Sequence, residues 1–94
     1  MILTFKDRDT ERLWDGEFVR RLDGIRRPAL MRLGRLDAAT GLGDIAGLRG
    51  NRLKALKGER VGQWSIRIND QWRVCFMWLN GAPRPSDVEI VDYH

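Results

Sequence analysis

The sequence predicts an α+β fold in which a small, mainly antiparallel sheet of four to five strands carries two N-terminal helices on one face. Three observations indicate this class. The chain of 94 residues has the length of a single domain with one core, over residues 1–94. Its composition, with 43% apolar and 32% charged residues, is typical of folded domains. Apolar residues recur at helical spacing in the first half and at every second position in the second half.

The N-terminal segment favours a strand followed by a helix. Residues 1–5 are apolar enough for a short strand, which we expect at a sheet edge or beside the last strand. Residues 7–14 are compatible with a helix, and Asp9 or Thr10 is available as its N-cap.

A second helix is predicted after the break at Asp23-Gly24. Pro28 is well placed at its first position, because proline has no amide hydrogen to lose there. The next glycine-rich stretch, residues 41–50, predicts a loop with at most a turn of helix around residues 44–46. The apolar stripe of the second helix consists of Leu30, Leu33 and Leu36.

The second half changes to the period of β-strands. A short strand is predicted at residues 53–56 and a turn at residues 57–62. Two strands beginning at Trp64 and Trp72 follow, and each alternates between apolar and polar residues. With a last strand at residues 87–93, the prediction is a four-stranded antiparallel meander. We interpret the tryptophans of these strands as core residues.

Positive charge is concentrated in one part of the chain. The net charge of the chain is +4, but residues 49–73 alone contain seven basic residues and only two acidic ones, Glu59 and Asp70. A focused positive field favours polyanions, so nucleic acid is the first candidate partner, and an ordinary solvated basic face is the alternative. The seven basic residues are Arg49, Arg52, Lys54, Lys57, Arg60, Arg67 and Arg73.

The alternation of the strands predicts where part of this charge lies. If the apolar sets of both central strands face the second helix, the opposite side of the sheet carries Arg67, Asn69 and Arg73. Lys54 and Lys57, on the preceding strand and turn, join them. We therefore expect a cationic concavity on the uncovered face of the sheet.

The composition excludes several classes of function. Cys75 is the only cysteine, so no internal disulfide or thiolate metal cluster can form, and we expect no metal and no cofactor. Paired catalytic carboxylates and phosphate-binding glycine motifs are absent from the sequence, which leaves glycosidase and NTPase chemistry without support. No stretch is apolar enough to cross a bilayer or to act as a secretory signal, so a cytoplasmic protein without a membrane partner is expected.

Four segments together resemble a known family. They are residues 53–58 (LKALKG), 62–69 (GQWSIRIN), 71–76 (QWRVCF) and 88–94 (VEIVDYH). This pattern resembles the HigB-like toxins of the RelE/ParE superfamily, which belong to bacterial type II toxin–antitoxin pairs. The likeness extends over nearly the whole chain, including its length and its basic character.

The resemblance implies a RelE-like sheet with helices on one face, and cleavage of mRNA in the ribosomal A site. It also implies a HigA-like antitoxin with a helix-turn-helix motif, through which alone the toxin meets operator DNA. The active residues would come from the region of Lys54 and Lys57, from the basic positions of the central strands, and from Tyr93-His94. Because branches of the superfamily share one fold, a non-catalytic ParE-like inhibitor of DNA gyrase is the alternative.

Metal-independent RNA cleavage needs a base for the 2′-hydroxyl, cations for the phosphorane and an acid for the leaving 5′-oxygen. Arg73 and Arg67 suit the cationic role, because guanidinium stays protonated and grips phosphate with two donors. Lys57 either neutralises the phosphate or acts as the base, and Lys54 is its substitute. In the family that the chain resembles, some members carry histidine at the position of Lys54, so this chain lacks a possible neutral base there.

The C-terminal residues are candidates for proton transfer and stacking. His94 is the one side chain whose ordinary pKa, about 6.5, allows proton exchange near neutrality. The adjacent terminal carboxylate favours its acid form and nearby arginines favour its neutral form, so both roles remain open. Tyr93 would stack on a base or orient the phosphate. Further contacts to nucleic acid are predicted for Arg49, Arg52, Arg60 and Asn69.

Overall fold

A computed structural model describes residues 1–79 and 81–92 of the chain, and for Arg49 it describes the backbone only. Within these ranges no helix has both the length and the apolar character needed to cross a membrane. The elements in chain order are α1 (Arg8–Trp14), a 3₁₀ helix (Arg20–Ile25), α2 (Arg26–Ala38), α3 (Leu42–Ala46), a 3₁₀ turn (Arg49–Asn51), β1 (Lys54–Ala55), a 3₁₀ turn (Gly58–Arg60), β2 (Gln63–Arg67), β3 (Trp72–Met77) and β4 (Ser86–Asp92).

The sheet in the described part of the chain is a four-stranded meander with the order β1-β2-β3-β4. All three neighbouring pairs are antiparallel, which confirms the predicted class and topology. The turn between β1 and β2 requires Gly58 and Gly62, whose φ angles of 67° and 92° lie in the left-handed region.

The N-terminal segment lies beside β4, as predicted, but it pairs through a single parallel bridge between Phe5 and Val88 and forms no full strand. The amides of Leu3 and Lys6 donate to the carbonyl oxygens of Pro85 and Val88, each at 2.9 Å. The sheet therefore has the lower of the two predicted strand numbers, with an extended segment along its β4 edge.

Helix α1 is capped earlier in the chain than the sequence suggested. Asp7 is the N-cap, and its carboxylate accepts a hydrogen bond from the Thr10 amide at 3.3 Å. The prediction of Asp9 or Thr10 as the cap was wrong because Thr10 is buried and its hydroxyl accepts instead from the Ile90 amide at 2.9 Å. This contact fastens α1 to β4.

The predicted break at Asp23-Gly24 was also wrong. Both residues lie inside the 3₁₀ helix Arg20–Ile25, which continues directly into α2 at Arg26. Pro28 is the third residue of α2 rather than the first. A proline is tolerated there because none of the amides in the first helical turn has an intrahelical partner.

Residues 41–50 contain the short helix α3, close to the predicted single turn, and Ile45 anchors it in the core. Thr40 donates from its amide and its hydroxyl to the Asp44 carboxylate, each at 2.9 Å. These hydrogen bonds lower the pKa of Asp44.

The core lies between the helices and one face of the sheet. Leu33 and Leu36 of α2 are fully buried, and Leu30 is half-buried, so the predicted stripe is confirmed. The tryptophans of the central strands also pack with this core, Trp78 buried and the others partly buried. From the strands, the fully buried apolar side chains are Ile66, Val74, Phe76 and Val88.

Candidate functional site

The register of the sheet places the polar side chains of four strands on one face. Residues directly opposite each other in antiparallel strands point to the same side. One row across the sheet is Lys54, Ser65, Cys75 and Glu89, and the next is Arg67, Arg73 and Val91. These seven residues define what we call the polar face, which lies opposite the helices and the core.

The Arg73 side chain crosses β2 and reaches the segment before β1. Its Nε donates to the Ser65 hydroxyl at 2.8 Å. Its Nη2 donates to the carbonyl oxygens of Arg52, at 2.8 Å, and Ser65, at 3.3 Å. These contacts hold the guanidinium over the middle of the polar face, on the side where Lys54 lies.

Arg67 is the direct cross-strand partner of Arg73, but its guanidinium turns to the β2–β3 connection and pairs with Asp70. The Asp70 side chain is 98% exposed, so this ion pair contributes little to stability and a phosphate can displace it at small cost. Arg32 of α2 donates from Nε to the Arg67 carbonyl oxygen at 2.8 Å. Burial and the nearby charges of Arg35 and Arg67 lower the pKa of Arg32.

The predicted lysines lie together at the edge of the sheet. Lys54 and Lys57 line a cleft of about 300 Å³, together with Ala55, Leu56 and Arg60. Three cationic side chains therefore surround an opening with an apolar lining. Both lysines adjoin the β1 edge, next to which Arg73 is held, and their role in catalysis stays a prediction.

Arg60 forms an ion pair with Glu89, an acidic residue of the polar face. Its guanidinium pairs with Glu89, and Nε and Nη2 donate to the Gln63 side-chain oxygen at 3.2 Å and 3.1 Å. Glu89 has only 15% of its side chain exposed and also lies 3.7 Å from the Lys6 ammonium. Part of the charge predicted for nucleic acid is thus neutralised within the protein.

The structure gives Arg52 and Asn69 backbone roles that the sequence did not indicate. Arg52 is exposed, and its carbonyl oxygen holds Arg73. The Asn69 side-chain oxygen accepts from the amides of Gln71, at 2.9 Å, and Trp72, at 2.8 Å, and so shapes the turn between β2 and β3. Their contacts to nucleic acid stay predictions.

Three predicted site residues lie outside what the structure describes: Tyr93, His94 and the side chain of Arg49. The described end of β4 does run along the arginine row, because Val91 pairs with Arg73 and Asp92 pairs with Trp72.

Two residues of the site were missed by the sequence analysis: Ser65, which holds Arg73, and Glu89, which holds Arg60. A signal for both was present in the alternation of their strands, since each lies an even number of positions from a residue of the polar face. The sequence around such a serine or glutamate does not indicate which side chain it will contact, because that side chain belongs to another element of the fold.

Burial raises the pKa of the Cys75 thiol, and the Glu89 charge adds to the effect, while Arg60, Arg73 and Lys6 oppose it. Cys75 is 2% exposed. It is a packing residue, as the sequence suggested, and its thiol is poorly suited to act as a nucleophile.

At about pH 8, we expect a thiol-specific reagent to label Cys75 at least about tenfold more slowly in the folded protein than in urea, since labelling requires both ionisation and access. Absorbance of the released reagent group measures the rate. Equal rates in the two states would contradict the burial of this residue.

Among the residues that the structure describes, no three His, Cys, Asp or Glu side chains are grouped so as to hold a metal ion.

Comparison with known proteins found one matching family model and two similar proteins. Residues 3–94 match the family model of HigB-like toxins, described as a RelE-like toxin of the type II toxin–antitoxin system HigB. Toxin HigB-1 of Vibrio cholerae serotype O1 is 36% identical over 84 residues, which cover 87% of this chain and 88% of that protein. Endoribonuclease HigB of Proteus vulgaris is 38% identical over 63 residues, which cover 67% of this chain and 65% of that protein.

Proposed function

This chain belongs to the HigB-like toxins, the RelE-like toxins of type II toxin–antitoxin systems, and we propose that it is an endoribonuclease that cleaves mRNA in the A site of the ribosome. A toxin of this type has a cognate antitoxin as its partner. We propose a HigA-like antitoxin with a helix-turn-helix motif, through which alone the toxin meets operator DNA. The relative named as an endoribonuclease supports the activity.

The observation that carries the proposal is the fixed position of Arg73 beside the lysine cleft. A guanidinium that is already oriented on a sheet can meet the charge of a phosphorane without first reorganising. The cleft next to it, lined by Lys54, Lys57 and Arg60, has the cations and the apolar lining that suit a nucleotide. Together these features support phosphate chemistry on RNA.

In the proposed reaction, the 2′-hydroxyl oxygen attacks the adjacent phosphorus, and the bond from phosphorus to the 5′-oxygen breaks. The hydroxyl proton passes to a base, and the departing 5′-oxygen receives a proton from an acid, so a 2′,3′-cyclic phosphate and a 5′-hydroxyl result. Arg73 and Arg67 stabilise the extra negative charge. Lys57, with Lys54 as its substitute, neutralises the phosphate or accepts the first proton.

The proton for the leaving group is assigned to His94 within this proposal, and Tyr93 is assigned to stacking or to phosphate orientation. Support comes from the family resemblance and from the course of β4, whose Val91 is the direct partner of Arg73. This assignment distinguishes a nuclease from a binding protein, since a pure inhibitor has no need of a proton-transfer group beside its cations.

Dependence on the ribosome follows from the small size of the site. Its cations come from short strands and turns of a 94-residue chain, which offer few contacts for aligning a flexible RNA. Productive in-line attack needs an aligned sugar and phosphate, and a ribosome that already holds the mRNA in place supplies this alignment. We therefore propose that free RNA is cut poorly.

Expression of the chain without its antitoxin should arrest growth and create new mRNA 5′ ends inside coding regions, at a fixed position relative to the codon. Sequencing of 5′ ends before and after induction measures this, and the Arg73→Ala variant is the matched control. Co-expression of the antitoxin should restore growth.

A parallel supercoiling assay with DNA gyrase tests the alternative. Inhibited supercoiling together with an unchanged pattern of mRNA 5′ ends would contradict the proposed activity. None of the names of the matched relatives refers to gyrase, so the comparisons do not favour that alternative.

A further inference from the structure

Two residues hold the Arg73 side chain, Ser65 of β2 and Arg52 of the segment before β1, and each has an unusual feature. Ser65 is fully buried, although it carries a hydroxyl, and that hydroxyl lies 2.8 Å from Arg73 Nε. A buried hydroxyl needs a partner to offset the loss of water. Here the partner is the guanidinium itself, so the position of one group fixes that of the other.

The second group is the carbonyl oxygen of Arg52, which lies 2.8 Å from Arg73 Nη2. Arg52 has a φ angle of 45°, in the left-handed region that residues other than glycine rarely adopt. Such backbone conformations persist only where the surrounding structure enforces them, and they concentrate at functional sites. In this chain the unusual conformation occurs in the peptide that supplies an acceptor to Arg73.

We propose that Ser65 and the backbone of Arg52 are positioning groups for Arg73, which together hold its guanidinium in the orientation required by the scissile phosphate. The inference rests on the proposed function, because orientation matters only if Arg73 meets a phosphate. The hydroxyl and carbonyl oxygens of Ser65 approach from β2, and the Arg52 carbonyl oxygen approaches from the segment before β1, so the acceptors fix both the reach and the rotation of the side chain. A guanidinium has five N–H donors, so holding groups and a phosphate can share it.

Fixing Arg73 has a physical advantage over leaving it mobile. A free arginine side chain loses rotamer entropy when it grips a phosphate, and this loss weakens catalysis if it occurs at the transition state. With the contacts to Ser65 and Arg52, that entropy is lost during folding instead. The competing explanation is that Arg73 only ties the loop before β1 to the sheet.

The first test compares Ser65→Ala with two matched variants. Ser65→Thr keeps the hydroxyl, and Cys75→Ala removes a similar volume from the neighbouring position of the same row, where burial is nearly equal. The readout is cleavage of mRNA on programmed ribosomes, with kcat and KM determined separately and the melting temperature recorded. We expect Ser65→Ala to lower kcat about tenfold with KM nearly unchanged, since one hydrogen bond to a charged group is lost.

Ser65→Thr should stay within about threefold of the wild type, and Cys75→Ala within about twofold, as the hydroxyl is what acts. The same Ser65→Ala change in an Arg73→Met background should produce no further loss, because methionine has no N–H donor for the Ser65 hydroxyl to hold. A Ser65→Ala rate equal to that of Cys75→Ala would overturn the inference. A further loss of about tenfold on adding Ser65→Ala to Arg73→Met would overturn it as well.

The second test uses the backbone of Arg52 and does not depend on the fit of threonine at position 65. Arg52→Gly and Arg52→Ala remove the same charge, but only glycine accepts the left-handed conformation without strain. If the carbonyl position matters, kcat of the alanine variant should be about threefold or more below that of the glycine variant. Equal kcat values for the two variants would count against the positioning role.

A measurement on the free protein separates this inference from the proposed function. Hydrogen exchange at the Arg73 Nε–H, followed by NMR, should be slow in the wild type and fast in Ser65→Ala. If the wild type cleaves no mRNA, the proposed function fails whatever this signal shows. If the wild type cleaves mRNA but the Nε–H exchanges equally fast in both proteins, the positioning role of Ser65 is wrong.

Discussion

Replacing Arg73 with alanine should lower the rate of mRNA cleavage by about two to three orders of magnitude, the usual cost of removing one group that stabilises transition-state charge. Arg73 is held over the middle of the polar face by Ser65 and by the Arg52 carbonyl oxygen. Its loss removes a positive charge from the place where we propose that the phosphorane forms. The measurement is single-turnover cleavage on programmed ribosomes.

Two control variants separate this effect from folding and from net charge. Arg73→Lys keeps the charge but loses the two-donor geometry, so we expect an intermediate rate. Arg84→Ala removes the same charge from an exposed position between β3 and β4, and it should cleave at nearly the normal rate. Because the Arg73 side chain also contacts Ser65 and Arg52, the melting temperature of each variant must be recorded. Near-normal cleavage by folded Arg73→Ala would remove this residue from the site.

The sheet was predictable from sequence because one face of each central strand packs on the hydrophobic core. Ile66, Val74 and Phe76 had to be apolar, while Arg67 and Arg73 between them did not. This alternation specifies strands, their faces and, through short connections, an antiparallel order. The same alternation is sufficient to predict that both arginines share one surface of the sheet.

The errors in the N-terminal half have a different origin. Local signals predicted a break at Asp23-Gly24 and a cap at Asp9 or Thr10, but tertiary contacts decided both cases. The Thr10 hydroxyl does not cap α1, because it accepts a hydrogen bond from the Ile90 amide of β4. The 3₁₀ helix continues through Gly24 because Leu22 and Ile25, on either side of that glycine, are buried. A single sequence carries no direct sign of such long-range contacts.

The positive charge of the site could be predicted from the sequence, but the hydrogen bonds and ion pairs of its side chains could not. The positions of Lys54, Lys57 and Arg73 follow from strand order, but the partner of each side chain depends on distances across strands. Arg67 illustrates the difference, since it shares a row with Arg73 and yet turns away to Asp70. The roles of Ser65 and Glu89 depend on such contacts, which explains why sequence analysis overlooked them.

Replacing Phe76 with alanine should destabilise the protein by about 3–5 kcal/mol, the range for deleting a fully buried phenylalanine. Phe76 has no exposed surface, lies opposite Trp64 and packs edge-to-face on Trp78, with ring centroids 6.4 Å apart. For a domain of this size, such a loss lowers the melting temperature by more than about 12 °C. Urea titration followed by tryptophan fluorescence measures the change.

Met77→Ala is the matched control for Phe76→Ala, because Met77 follows on the same strand, faces the other side and is only half-buried. Its effect on unfolding should be much smaller. Since the core and the polar face occupy opposite sides of β3, we expect Phe76→Ala to retain nearly normal cleavage per folded molecule at low temperature, where Arg73→Ala is folded but slow. If the folded fraction of Phe76→Ala were as inactive as Arg73→Ala, the two faces would not be separable, and the polar face alone would not account for the chemistry.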